Sequence, residues 1–321
     1  MANQKTPQLG WVGLGKMGNA MAKNMQRHLA EKGQSPLHFW NRTASKGEQL
    51  KGLGGVECES IAAVVNSSDI IFISTSDDAA LKTIVDEILA AGNIDVKIIV
   101  DTTTVHPTTS QEVSGKVAQK NATFISAPVF GSSPMAEDRK ILIVLAGDLS
   151  GIKKLASYLK GVIARETITV SDKSEKAALL KIMGNFIISG FTEIIGEAHV
   201  LAEKSEMGNE ALENLLELQF GLLPGMISKR LTKGNYMPPR GKNPWSDLSL
   251  GLKDVGHSID CADIAGTRLK VAEVALDHLK RANAYSEQER RPLDSSAMYG
   301  IIRQDAGLDF ENDFVKRRDA Q

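Results

Sequence analysis

The sequence is poor in most of the features that announce a specialised class. Among its 321 residues are two cysteines, Cys58 and Cys261, far apart and without C-x-x-C spacing. That excludes a disulfide framework or a cysteine metal site, and a reducing compartment is expected. Neither cysteine has a basic cluster beside it to mark a reactive thiol. No charge excess is present: 38 Lys and Arg stand against 39 Asp and Glu, a net charge of −1. Such a balance provides no field for nucleic acid or an anionic membrane, and favours a small, diffusing partner. The six histidines (His28, His38, His106, His199, His257 and His278) show no H-x-x-x-H or acid-rich spacing, so no metal site is expected. No apolar run approaches the roughly 20 residues of a membrane span. The opening MANQKTPQLG leaves no room for a secretory h-region or an Arg-rich transit helix. A cytoplasmic protein is expected.

What is present is rhythm. Short apolar runs, LGWVG, LHFWN, DIIFIST, VKIIVDTTT, ATFISAPVF, ILIVLAG and ETITV, alternate with amphipathic stretches through the first half. This is the βαβ pattern, and the Ile- and Val-rich runs lack polar alternation, as strands covered on both faces do. The rhythm stops near Val170. Asp172 and Glu175 have capping spacing, and about 34 residues of proline-free helical pattern run from there to Gly208. Further helical stretches follow (ALENLLELQF, SLGLKDVGHSID, TRLKVAEVALDHLKRA), broken by a proline-rich loop over Lys233 to Pro244. The length suits two domains. The expected architecture is an α/β, doubly wound Rossmann domain over 1–172, then a long connecting helix and an all-helical domain over 173–321. Charged residues from Asp309 onward suggest a solvated tail.

In LGWVGLGKMGNAMAKNM the glycines stand as G-x-G-x-x-G, after a strand run and at the start of a helix. Gly13 permits a tight turn, Gly15 lets backbone approach a pyrophosphate, and Gly18 allows close helix–strand packing. Leu14, Lys16 and Met17 lie within the same turn and are assigned with it to a dinucleotide, as are Thr75 and Ser76 at the end of the DIIFIST run. The next strand ends at Asn41, Arg42 and Thr43, where an NAD enzyme usually places an acid for the ribose hydroxyls. Here there is none, and an arginine at this position suits a 2′-phosphate, so NADP is favoured over NAD. The alternative is a surface arginine with either cofactor bound.

Within the long helix, Lys181 and Asn185 are an i, i+4 pair sharing a face with Ser189, Thr192 and Gly196, between apolar flanks such as Leu180, Met183, Ile187 and Phe191. A lysine desolvated beside a nicotinamide can exchange a proton with a substrate hydroxyl. On spacing alone, a solvated lysine that buries its stem is the commoner case.

Four segments together resemble the β-hydroxyacid dehydrogenase family, which includes 3-hydroxyisobutyrate dehydrogenases, glyoxylate and succinic semialdehyde reductases and, more distantly, 6-phosphogluconate dehydrogenase. They are GLGKMGNAMAKN, DTTTVHPTTS, APVFGSSPMAEDRKILIVLAG and KIMGN. The resemblance implies cofactor contact at Thr104 and a substrate-side hydroxyl at Thr103. It also implies a substrate loop at Phe130, Gly131 and Ser132, Lys181 as general acid/base and Asn185 as the substrate-orienting residue. Lys253 and Asp254 resemble a pair lying by cofactor and substrate respectively. A homodimer or homotetramer is implied too. WNRTASK is most similar to the glyoxylate and semialdehyde reductase branch, whose members favour NADP. The resemblance therefore implies hydride transfer between NADP(H) and a short-chain 3-hydroxy acid or its semialdehyde or keto acid counterpart.

Several positions depart from the family pattern. Phe130 and Ser132 stand where Ser and Gly are usual, Met135 and Arg139 replace glycines, and Gly184 replaces an asparagine. A bulky Phe130, and a Ser132 without glycine's backbone range, alter the surface that receives a carboxylate. Two alternatives follow: a non-catalytic NADP sensor or partner-binding protein, and an imine reductase-like enzyme, against which Lys181 argues.

Overall fold

A computed structural model describes residues 6–320; the first five residues of the opening stretch, on which the reading of the N-terminus partly rests, lie outside the described residues. The chain divides into two compact units between Lys181 and Ile182.

In the first unit nine strands form one sheet among the described residues: β1 (Leu9–Val12), β2 (His38–Trp40), β3 (Val56–Glu57), β4 (Ile70–Ile73), β5 (Ile98–Asp101), β6 (Thr123–Ser126), β7 (Val129–Phe130), β8 (Leu142–Gly147) and β9 (Glu166–Ser171). Their spatial order is β3-β2-β1-β4-β5-β6-β8-β7, with β9 also on β8. Strands β1 to β6 pair in parallel. Strand β8 runs antiparallel to β6 and β7 and parallel to β9. The helices of this unit are α1 (Lys16–Glu31), α2 (Glu48–Gly52), α3 (Ile61–Ser67), α4 (Asp78–Ala90), α5 (Pro107–Ala118), α6 (Ser133–Glu137) and α7 (Leu149–Leu159).

The apolar runs have no polar alternation because both faces of the sheet are covered. Leu9, Trp11, Ile70, Phe72, Ile98 and Val100 enter one core with Met21, Met25 and Phe39. The residues between them, Val12, Ile71, Ile73 and Ile99, enter a second core with Val64, Val85 and Val113. Trp11 stacks on Phe72 at 5.1 Å between ring centroids. The run ATFISAPVF is two strands rather than one, since Pro128 between them has no N–H to give a ladder. Strand β3, two exposed residues long, is too short to carry a pattern.

The long helix α8 spans Glu175–Lys204. It begins directly after Ser174, so Asp172 is not at its cap, and it ends four residues before Gly208, whose φ of +78° cannot continue it. It also corrects the expectation that no span-length apolar segment exists: by length and composition alone, α8 is long and apolar enough to cross a membrane. A helix with core residues on several sides meets the same test.

The second unit is helical: α9 (Asn209–Phe220), α10 (Leu222–Thr232), α11 (Leu248–Ile264), α12 (Lys270–Gln288), α13 (Met298–Asp305) and α14 (Asp313–Asp319) follow the C-terminal part of α8. Helix α10 escapes the sequence pattern because Pro224 and Gly225 look like breakers. Pro224 lies in its first turn, where a missing N–H costs nothing.

The C-terminal segment is not a solvated tail. Phe310 is buried and stacks on Tyr285 at 3.9 Å. The Tyr236 hydroxyl donates to the Phe310 carbonyl at 2.8 Å and accepts from the Asn312 N–H at 2.9 Å. Asn312 in turn caps α14. The charged residues there alternate with apolar ones that close the core, a tertiary effect invisible in composition. Phe310→Ala is expected to destabilise the protein by about 3–5 kcal/mol, read as a lower thermal or urea midpoint. An unchanged midpoint would restore the tail reading.

Candidate functional site

The order β2-β1-β4-β5 places a topological switch point between β1 and β4, and ligands of open parallel sheets bind beyond the carboxyl ends of such strands. The cofactor residues assigned in the first unit lie at those ends; Lys253, also assigned to the cofactor, belongs to a helix of the second unit. Gly13 follows β1 with φ +97°, and a Cβ there would lie 2.1 Å from the Ser74 carbonyl oxygen. At Gly18 a Cβ would meet the Gly13 carbonyl oxygen at 2.4 Å, so α1 starts against the turn itself. A Cβ on Gly15 meets nothing within 4 Å. Gly15 is thus not required by the chain's own packing, and the space beside it is open.

Helix α1 begins at Lys16 with no acid in its first turn. Its first N–H groups have no partners within the helix and carry the positive end of the dipole, the environment a pyrophosphate needs. Leu14 is buried behind the turn and Met17 packs against the first core, while the Lys16 side chain is exposed. The residues present therefore fit a dinucleotide.

The neighbouring strand ends brace the turn. The Leu14 N–H donates to Asn41 Oδ1 at 2.8 Å, and Asn41 Nδ2 donates to the Thr43 carbonyl at 2.8 Å. Asn41 thereby ties the end of β2 to the glycine turn, and Arg42 and Thr43 are exposed beside it. After β4, the Thr75 N–H donates to Thr103 Oγ1 at 3.1 Å, bringing two assigned residues from adjacent strand ends together. The Thr103 N–H donates to Asp101 Oδ1 at 2.9 Å, so this acid shapes the turn. Ser76 is exposed and Thr104 partly buried. Ser74, which sequence reasoning missed, backs both Gly13 and Gly18; its only signal is its place as the next-to-last residue of the DIIFIST run.

In the substrate loop, Gly131 has φ +136° and no room for a side chain, since a Cβ would lie 2.7 Å from Ile141. Ser132 has φ −92° and ψ 169°, ordinary extended backbone, so serine in place of glycine costs nothing here. The loop is anchored to α1: Asn24 Nδ2 donates to the Ala136 and Glu137 carbonyls, and Lys23 pairs with Glu137 at 2.8 Å. Phe130 packs with Leu180 against Val144, Ala146 and Ala177, and Lys181 Nζ lies 4.2 Å from the centre of its ring. Lys181 is only 8% exposed. It is not the solvated lysine that helical spacing alone favours.

Within the second unit, Asn185 Nδ2 donates to Asp254 Oδ2 at 2.6 Å, and Lys253 Nζ pairs with Asp254 Oδ1 at 3.0 Å. Three assigned residues from two distant segments thus form one cluster. Further along the α8 stripe the roles are structural: Thr192 Oγ1 donates to the Ile188 carbonyl, and Gly196 lets Ile302 and Tyr299 approach. Burial pushes the Cys58 and Cys261 thiols above their ordinary value, away from the thiolate that reacts. Burial likewise pushes His199 down, and its ring is held by Asn209 and Ser228 at 2.8 Å each.

Residues 8–171 match the NAD binding domain of 6-phosphogluconate dehydrogenase. The chain is 32% identical over 300 residues to the NADH-dependent oxidoreductase ucdB of Aspergillus ustus, covering 92% of this chain and 98% of that protein. It is 28% identical over 298 residues to glyoxylate/succinic semialdehyde reductase 1 of Arabidopsis thaliana, again covering 92% and 98%. In fold it is similar to Mycobacterium tuberculosis 3-hydroxyisobutyrate dehydrogenase with L-serine, at a TM-score of 0.77 and 19% identity over 93% of this chain and 99% of that one.

Proposed function

Because this chain belongs to the β-hydroxyacid dehydrogenase family and is an oxidoreductase that binds a nicotinamide dinucleotide, we propose that it moves hydride between NADP(H) and a short-chain 3-hydroxy acid or its semialdehyde or keto acid counterpart. The observation that carries this reading is the buried lysine. Lys181 is only 8% exposed, so it is not the solvated side chain that helical spacing favours, and a buried ionisable group beside a cofactor fold is a candidate for proton transfer.

The turn at Gly13, Leu14, Gly15, Lys16, Met17 and Gly18 would hold the pyrophosphate, with Thr75, Ser76 and Thr104 beside it, and Lys253 is assigned to the cofactor through the family resemblance. When bound, the cofactor supplies or accepts the hydride. Lys181 gives a proton to the carbonyl oxygen in reduction and takes one from the hydroxyl in oxidation. Asn185, its amide steered by Asp254, orients the substrate oxygen. Thr103 and the backbone of Gly131 and Ser132 receive the acid group.

The two relatives point to different cofactor and substrate details: one is named for NADH, the other for glyoxylate and succinic semialdehyde. Arg42, exposed and directly beside the braced Asn41, supports NADP, since a guanidinium suits a 2′-phosphate and no carboxylate stands there to repel it. Arg42→Ala is expected to lower the preference for NADP over NAD by about 10- to 100-fold, the range that charge-assisted hydrogen bonds supply. Titration of both cofactors against wild type and variant measures it, and an unchanged ratio removes Arg42 from cofactor selection. Oxidation of NADPH and NADH in the presence of glyoxylate, succinic semialdehyde, methylmalonate semialdehyde and 3-oxo acids tests the substrate class. Tight NADPH binding without turnover of any of them would favour a non-catalytic sensor.

A further inference from the structure

Phe130 occupies the loop position where the family pattern has a small polar residue, and its surroundings fix it there. Its backbone is in register with Leu142 on β8. The next residue, Gly131, turns with a backbone only glycine adopts readily, closed against Ile141. The ring is partly buried with Leu180 against Val144, Ala146 and Ala177, so β8 and α8 hold it from two sides. What it presents to Lys181 is an aromatic face, with Nζ 4.2 Å from the ring centre. That is well within the roughly 6 Å over which a ring quadrupole attracts a cation, and the attraction is stronger where water is excluded.

We propose that Phe130 is a positioning residue: its ring face holds the Lys181 ammonium at the place from which the proton is delivered. This rests on the reading of Lys181 as the group that donates and accepts the proton. A serine at 130 would offer the substrate a hydroxyl but give the ammonium no face to rest on. This chain has exchanged a polar contact to the substrate for control of the acid.

The test compares Phe130→Leu, which keeps much of the volume but removes the face, with Phe130→Tyr, which keeps the face, in the full chain with NADPH and a carbonyl compound the wild type reduces. F130L is expected to lower kcat by about 2- to 30-fold, the span a cation–π contact covers, with KM for NADPH unchanged. F130Y is expected to recover most of that loss. In lysine-labelled protein, the Lys181 ε-methylene protons, assigned with Lys181→Arg, should show an upfield ring-current shift in wild type and F130Y and an ordinary position in F130L. If leucine and tyrosine give equal kcat values, or F130L changes only KM for the carbonyl compound, the proposal is overturned while the role of Lys181 stands. Turnover that survives Lys181→Ala overturns the underlying reading and this proposal with it.

Discussion

Replacing Lys181 by alanine is expected to lower kcat by about 10²- to 10⁴-fold while leaving cofactor affinity almost unchanged. That span is what a positioned proton donor or acceptor contributes. The two halves of this expectation separate because the residues assigned to the pyrophosphate sit at the ends of β1, β2, β4 and β5, whereas Lys181 lies on α8 against Phe130. The fold should tolerate the change, because alanine is a strong helix former and the substitution lies inside a long helix. Steady-state turnover, NADPH titration by fluorescence and a thermal melt, made on one preparation, distinguish the cases. A fall in kcat with the other two intact is the expected result. Turnover within a few-fold of wild type would take the lysine out of the chemistry.

The glycine turn gives the second large effect, because two of its members should fail differently. At Gly13 an added methyl meets the Ser74 carbonyl oxygen at 2.1 Å, on a residue with φ +97°. Neither backbone oxygen nor strand can step aside cheaply, and the conformation itself is strained for alanine by about 1–3 kcal/mol. Gly13→Ala should therefore lower the melting midpoint and cofactor affinity together. At Gly15 the same methyl meets nothing in the chain, and φ −64° suits alanine. Gly15→Ala should leave the midpoint unchanged yet weaken NADPH binding by about 10- to 100-fold, because charge-assisted contacts between backbone N–H groups and phosphate are pushed apart. Unaltered NADPH affinity in the Gly15 variant would show that no ligand approaches this turn.

These two sites also differ in how far the sequence alone reveals them. The glycine turn was legible because each glycine has its own local reason, and the strand before it and helix after it are continuous patterns. The parallel sheet was legible because strands buried on both faces show as unbroken apolar runs. The burial of Lys181 was not, since a helical period places it on a face but does not say what covers that face; Phe130, 51 positions earlier, does. The contact of Asn185 with Asp254 spans 69 positions and was reachable only through resemblance to a family. The end of the chain misled for the opposite reason. Its charges are dense, but Phe310, Asn312 and Val315 among them are buried by partners from other helices. Helix α10 was obscured by a proline that is harmless in a first turn.

In the proposed reaction hydride passes between a nicotinamide and a carbonyl carbon under the control of Lys181. NADPH deuterated at each face of the nicotinamide C4 in turn, incubated with the carbonyl panel, tests it most directly. Deuterium is expected on the former carbonyl carbon from one of the two cofactors, at a rate that collapses in Lys181→Ala. Tight NADPH binding with no deuterium in any product, or transfer undiminished in Lys181→Ala, would contradict the proposed reaction.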